Sequence, residues 1–476
     1  MVTRNGWATG PWWLPPALGA LGAALVLTLW LWAPWRPSVA RRVPGTDRPA
    51  GVVSEAAGGN VFAAGVTASG PGRAAKLTGA WPGFRGPARD GLWPGKAGLA
   101  TSWGAGVPKP LWEQSVGEGF AGPAIESGRL FLMDYDREKG RDALRCLSLE
   151  DGREIWRYSY PMPLKRNHGL TRTVPAVARG RVVAMGPKGH TMCVEAETGK
   201  FVWGLDLAKD FGATVPPWYT GQCPLVDGDA VILAPGGDQV AMMAVSLETG
   251  EVRWRARHEA GWKMSHASIA IMELDGVRYY VHPASGGVLV VRASDGVVAW
   301  ASAQWKINIA TVPTPVILGG GRVFFTGGYN AGCVLMQFAP EGDRLTAKEV
   351  FRLKAQEFGA TQHSPVWHAG YLYGVRADGR LVCLSAEGKV QWTSGEDASH
   401  GLGPVMVADG MVLALTDGGR LSMVSAEPGA YTLRGTYQVM EGHECWAPMA
   451  MADGRLLVRD VTRLVCLDVS GMAKSP

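Results

Sequence analysis

The sequence has no C-x-x-C pair, no C-x-x-C-H haem attachment, no Walker A loop, no H-E-x-x-H and no G-x-S-x-G. These absences remove the usual local signatures of redox dithiols, c-type haem, nucleotide phosphate binding, zinc hydrolysis and serine hydrolysis. One glycine-rich match exists, Gly117–Gly122 (GEGFAG). A strand follows it, so the helix N-terminus that would hold a phosphate is missing. A basic surplus is also lacking where nucleic acid would need it. Residues 1–80 carry seven Lys/Arg against Asp47 and Glu55, and the rest of the chain balances at 40 basic and 40 acidic residues. No nucleic-acid partner is expected.

Seven cysteines are present, an odd number. Cys146, Cys193, Cys383 and Cys466 share one slot in LRCLSL, TMCVEA, LVCLSA and LVCLDV, and Ala244, Val291, Met336 and Met423 read as its other occupants. The slot suits a small buried apolar side chain. Equivalent positions in different repeats lie too far apart to bridge. Cys223, Cys333 and Cys445 fall in or near loops.

The dominant feature is a repeat. SLETGEVRW (Ser246–Trp254) recurs as SLEDGREIW (Ser148–Trp156), EAETGKFVW (Glu195–Trp203), RASDGVVAW (Arg292–Trp300) and SAEGKVQW (Ser385–Trp392). Gly supplies the backbone freedom of a tight turn between two strands, and the Trp packs between neighbouring units. Trp156, Trp203, Trp254 and Trp300 follow one another at intervals of 46 to 51 residues, Phe351 stands where the next Trp is due, and Trp392 follows. That period, built from strands and turns, predicts four-stranded antiparallel propeller blades. Inner strands beginning near Pro123, Pro175, Pro224, Ser268, Pro315, Pro365, Pro404 and Pro448 give eight. The last unit ends at LVCLDVS without a Trp strand, while PKPLWEQSVG (Pro108–Gly117) carries Trp112 with no blade of its own. Leu111–Val116 is therefore expected to close the eighth blade. The fold class is all-β, an eight-bladed propeller over 107–470, with a short tail at 471–476.

Residues 14–33 are uncharged and apolar, flanked by Trp12, Trp13 and Trp35. Behind a short tail at 1–13, the stretch 14–35 reads as one transmembrane anchor. A cleaved signal peptide ending at Ser38–Val39–Ala40 is the alternative. Arg36, Arg41, Arg42 and Arg48 follow the span and only Arg4 precedes it, a distribution that argues for a cytoplasmic propeller. Residues 36–80 read as a flexible Ala/Gly/Pro-rich tether, and 81–106 as an entry segment packed on the propeller, since Trp81 and Phe84 would otherwise be exposed.

The blade unit, with its Gly-x-x-x-Trp docking motif, resembles the pyrroloquinoline-quinone (PQQ)-like propeller repeat over about residues 108–470. WPGFRGPARDG (Trp81–Gly91) resembles the entry segment of a bacterial subgroup of that family. Thr314–Phe338 and Ser364–Trp392 are similar to its later blades. The resemblance implies an extracytoplasmic propeller, akin to the BamB-like factors of outer-membrane protein assembly. It thus opposes the arginine count, and the expectation is a single-pass inner-membrane protein with its propeller on the periplasmic side. Quinone dehydrogenases of this fold use a disulfide between adjacent cysteines, a catalytic Asp and Glu/Asn ligands to calcium. No adjacent cysteines occur here, and no such ligand set falls on matching positions.

Loops leading into inner strands line a propeller's channel mouth. They carry His168, Arg172, Trp218, Lys263, His266, His363, His400, His443 and Trp446, the binding candidates. Several histidines on one face raise metal binding, but no carboxylate recurs with them, and no metal is expected. Aromatic and cationic groups suit peptide or glycan contact. Trp112, Trp156, Trp203, Trp254, Trp300 and Trp392 are the blade-docking residues. The expected function is a monomeric, membrane-held, non-enzymatic scaffold for envelope proteins or peptides, with no cofactor. The alternatives are a PQQ- or metal-dependent oxidoreductase with its site at the mouth, and a sensor of a small ligand.

Overall fold

The computed structural model describes residues 14–32, 60–100, 102–103, 108–396 and 398–470. Leu14–Trp32 forms a helix of its own, with Leu21, Leu25, Val26, Leu27 and Leu29 more than half exposed. Among the described residues no helix is long and apolar enough to cross a membrane.

From residue 108 onward the chain forms eight sheets, each wound from inside outward. Blade one consists of Ala124–Glu126, Arg129–Asp136, Arg141–Ser148 and Glu154–Pro161. The next six begin at Ala176, Leu225, Ala270, Val316, Val366 and Val405, one or two residues after the Pro or Ser that opens each unit. Second and third strands are buried almost throughout, as in Val183–Ala184 and Leu413–Ala414, because both faces are covered by neighbouring blades.

Blade eight joins the two ends of the propeller. Ala450–Ala452, Arg455–Arg459 and Arg463–Asp468 are completed by Lys109–Ser115, which runs antiparallel to the last strand with Trp112 opposite Cys466. The predicted closing strand is therefore present, beginning two residues earlier than expected. Arg455 and Arg459, both buried, tie this blade to the first. Arg455 Nη1 donates to Leu149 O (2.7 Å), and Arg459 donates to Ala121 O (2.9 Å) and Gly117 O (2.7 Å).

The recurring Gly and Trp meet between blades. A Cβ built on Gly152 would lie 2.7 Å from the Trp112 ring, and the same crowding sets Gly199 on Trp156, Gly250 on Trp203 and Gly296 on Trp254. Each of these indoles also donates to a backbone carbonyl beside that turn, as Trp203 Nε1 does to Leu247 O at 2.8 Å. Only glycine fits: its φ is positive, near 70°, and any side chain would strike the ring. Gly388 meets Phe351 in the same way. Trp300 instead packs edge-on against Phe338 (5.1 Å), and Trp392 donates to Glu427 O (2.7 Å).

A bulge accompanies each docking ring. Cys146 pairs with Trp156 while Leu147 pairs with Glu154, skipping Ile155. The equivalent shift occurs in every blade. It corrects the slot assignment in two blades: Val290 and Leu335 face the docking ring, not Val291 and Met336. All seven cysteines are buried and free.

The tether ends sooner than its composition suggests. Residues 36–59 lie outside the described residues, but Val66–Ser69 adds a fifth strand to blade one, antiparallel to Glu154–Pro161. Phe62 is buried against Tyr160 and Phe201. Strand addition uses backbone groups, so the side-chain pattern of 60–80 did not announce it.

Candidate functional site

The entry segment crosses the channel. Trp81 is buried and exchanges two backbone hydrogen bonds with Ile125 of blade one, both 2.8 Å. Pro82 O accepts from Val177 N of blade two (2.7 Å), and Arg89 donates to Val226 O of blade three. Arg85 is buried and donates to four carbonyls: Ser364 and Pro365 of blade six (2.9 and 2.8 Å) and Asp90 and Arg89 of its own turn (2.7 and 3.1 Å). Gly91 O and Trp93 N then pair with Val407 of blade seven. Residues 81–93 thus form a plug held by five blades. Burial lowers the Arg85 pKa to about 10, still a cation at neutral pH.

Above the plug lies a cavity of about 360 Å³. Trp81, Phe84 and Arg85 belong to its lining, together with mouth residues from several blades. Six of the nine predicted mouth residues line it: His168, Arg172, Trp218, His266, His363 and Trp446. Lys263 is exposed and outside the lining. His443 is 83% exposed in its side chain and also lies outside. His400 is buried toward Tyr431 (Nε2 to Oη 3.3 Å), away from the cavity. A second cavity, of about 470 Å³, is lined by plug residues 82–90 and by the inner strands of blades two to five.

The mouth groups hold one another. Arg172 Nε donates to Trp218 O (2.6 Å), its Nη2 donates to His168 O, and its guanidinium lies 5.0 Å from the Phe120 ring centre. Phe120 stacks on Trp446 at 5.4 Å, and both rings lie within 6 Å of His168. His168 Nε2 meets Glu444 Oε1 at 2.8 Å, His266 Nε2 meets Pro217 O at 2.8 Å, and Trp446 Nε1 donates to Asp417 (2.7 Å). Burial depresses His266 to about 4 and His363 to about 3, so both are neutral at pH 7. Burial lowers Arg172 to about 10, leaving it charged. Trp218, Tyr219, Tyr329 and Glu444 all have positive φ, between 55° and 70°. Such strain in non-glycine residues concentrates where loops are shaped for contact.

The wall carries a belt of hydroxyls that sequence reading missed. Cys223 N donates to Ser268 Oγ (3.0 Å), Ser268 N to Thr314 Oγ1 (2.9 Å) and Thr314 N to Ser364 Oγ (2.8 Å). Val174 N donates to Cys223 Sγ (3.2 Å), which extends the belt from blade two to blade six. The signal was present: Cys223, Thr314 and Ser364 each directly precede the Pro that opens an inner strand, and Ser268 stands two residues before the strand that begins at Ala270. Phe120, inside the glycine-rich match, was also missed.

The model of the family described as the outer membrane protein assembly factor BamB matches residues 140–394 and 377–470. The chain belongs to the BamB family. BamB of Yersinia pestis is 23% identical over 212 residues, a match covering 42% of this chain and 48% of that protein, so the chain spans about half the length of this curated relative. The crystal structure of BamB from Moraxella catarrhalis superimposes with a TM-score of 0.52 at 13% identity, covering 78% of this chain and 100% of that one. Quinohemoprotein alcohol dehydrogenase from Comamonas testosteroni gives a TM-score of 0.56 at 14% identity, with 85% and 82% covered. At these identities the two structures share the fold of this BamB-family chain, and the likeness extends no further.

Proposed function

We propose that this protein is a non-enzymatic binding module of the cell envelope that takes part in outer-membrane protein assembly and docks extended protein segments on its blades. The observation that carries this reading is the fifth strand on blade one, where Val66–Ser69 pairs with an outer edge through backbone hydrogen bonds. The other outer strands, such as Arg344–Leu353 with Val350 half exposed, present the same kind of edge. An exposed edge is a template for an incoming strand. Leu14–Trp32 is read as the core of a membrane anchor: 19 uncharged, mostly apolar residues rise about 28 Å as a helix, and the uncharged run continues beyond the described residues. Its exposed leucines suit lipid, and the family's description as an outer-membrane protein assembly factor supports a periplasmic propeller.

A calcium-held quinone fits poorly. Among the described residues no carboxylate lines the cavity and no group of three potential metal ligands occurs, and the cysteines are buried singly. Of the mouth histidines, His168 is engaged by Glu444 and His266 by the Pro217 carbonyl, an arrangement that suits a contact surface.

A photo-reactive residue at Val350, in the full-length chain expressed in membranes, tests the proposal. Crosslinks to envelope proteins through this edge are expected. Crosslinks only from the mouth, or none from any outer strand, would contradict it.

A further inference from the structure

The mouth cavity has a chemical bias that strand docking does not use. Among the described residues its lining contains Arg85 and Arg172 and no Asp or Glu. Arg85 spends its donors on four carbonyls. Arg172 does not: Nε and Nη2 are engaged, and Nη1 has no hydrogen-bond partner among the described residues. The nearest acid, Glu444, is taken up by His168 and lies outside the lining. Arg172 is half-buried, and the carboxylate that acts on it, Glu444, is shared with His168, so an anionic ligand at Nη1 relieves part of its desolvation cost.

The wall has the same polarity. Ser268, Thr314 and Ser364 accept from the next backbone N–H through their oxygens, and none donates its hydroxyl hydrogen to an acceptor among the described residues. The rest of the lining is flat and apolar, with Phe120, Trp218 and Trp446 at the mouth and Trp81 and Phe84 on the plug. At about 360 Å³ the cavity sits at the small end of the range for organic ligands.

We infer that this cavity binds a small organic carboxylate with a flat apolar body, its anionic end on Arg172 and its body among Phe120, Trp218 and Trp446. The hydroxyl belt supplies donors for further oxygens of the same molecule. The inference does not depend on strand docking at the blade edges. The same chemistry is found in a free aryl acid and at the C-terminus of a peptide that ends in an aromatic residue.

Calorimetry on the full-length chain in detergent distinguishes the two sources, using 3-phenylpropanoate, its amide, a tetrapeptide ending in Phe with a free carboxylate, and the same peptide amidated. At least one acid should bind tenfold or more tighter than its amide. Binding by 3-phenylpropanoate alone assigns the site to a free acid, and binding by the peptide acid assigns it to a chain end. Arg172→Gln should reduce acid binding to the level of the amide, and Arg172→Lys should retain part of it. Because Arg172 also holds two mouth carbonyls, the acid–amide comparison in the unaltered chain stands independently of both variants. Equal binding of acid and amide, no binding of either acid, or full acid binding by Arg172→Gln would overturn the inference.

Discussion

Between neighbouring blades, an aromatic ring meets a turn glycine at one junction after another. In the channel, each of five blades meets the plug through a different pair of atoms. The first arrangement is a repeated contact whose members substitute for one another: Phe351 replaces Trp on Gly388, and Trp300 turns to Phe338 instead. The second is a set of single contacts centred on Arg85, with no spare copy. Repetition distributes stability around the ring, while singular contacts shape the one cavity where a ligand is proposed.

The seam should give the largest effect, because there the repeated contact depends on a strand from the other end of the propeller. Deleting residues 108–117 exposes the edge of Arg463–Asp468 and strips Gly152 of its ring. We expect loss of cooperative thermal unfolding. Trp112→Ala, which keeps the strand, should cost about 3 kcal/mol in denaturant titration. A cost below about 1 kcal/mol would mean that the seam contact is dispensable.

Arg85→Met tests the singular side. It leaves four carbonyls without their donor, for a cost of about 2–3 kcal/mol. The readout that separates it from a ring defect is hydrogen exchange: residues 81–93 should exchange faster while the blade strands stay protected.

Acid should act on the channel and the inter-blade spaces together. Burial holds His266 and His400 at about 4 and His282 and His363 at about 3. These values lie below that of an unfolded histidine, so the unfolded chain takes up protons first. Their contribution is complete above about pH 6.5 and is lost as the pH falls through about 4 for His266 and His400 and through about 3 for His282 and His363. Asp142 works in the opposite sense. Burial raises it to about 7, so between pH 7 and 4 the folded chain binds a proton that the unfolded chain does not, and acidification favours the fold. Melting temperature should therefore fall from pH 7 to 4, and more steeply in Asp142→Asn. A flatter profile in that variant would reverse the assignment.

The smallest expected change is Phe351→Trp, which restores the usual ring over Gly388. A gain of about 0.5–1 kcal/mol is expected from the added indole N–H. A loss of similar size would show that this junction is shaped for Phe.

What repeats was legible in the sequence, and what occurs once was not. The glycines, the docking tryptophans and the missing outer strand of blade eight each had several copies against which to be aligned. The slot was placed one residue too late in two blades, where Val290 and Leu335 pair with the docking ring. Trp81 and Phe84 indicated that the entry segment packs on the propeller. Its path across the channel rests on Arg85 reaching carbonyls about 280 residues away, which no local pattern encodes. His400 and His443 stand in loops like those of His266 and His363, yet one turns toward Tyr431 and the other toward solvent, because loop position does not fix side-chain direction. Strand addition by Val66–Ser69 depends on backbone bonds and so left no compositional trace.

Ser115 and Arg463 lie opposite one another across the seam. Replacing both with cysteine in the full-length chain and measuring the melting temperature with and without reductant tests ring closure directly. We predict a spontaneous intramolecular disulfide and a higher melting temperature when oxidised. A pair that stays reduced, or that links only between molecules, would contradict the closure of the propeller by its own first strand.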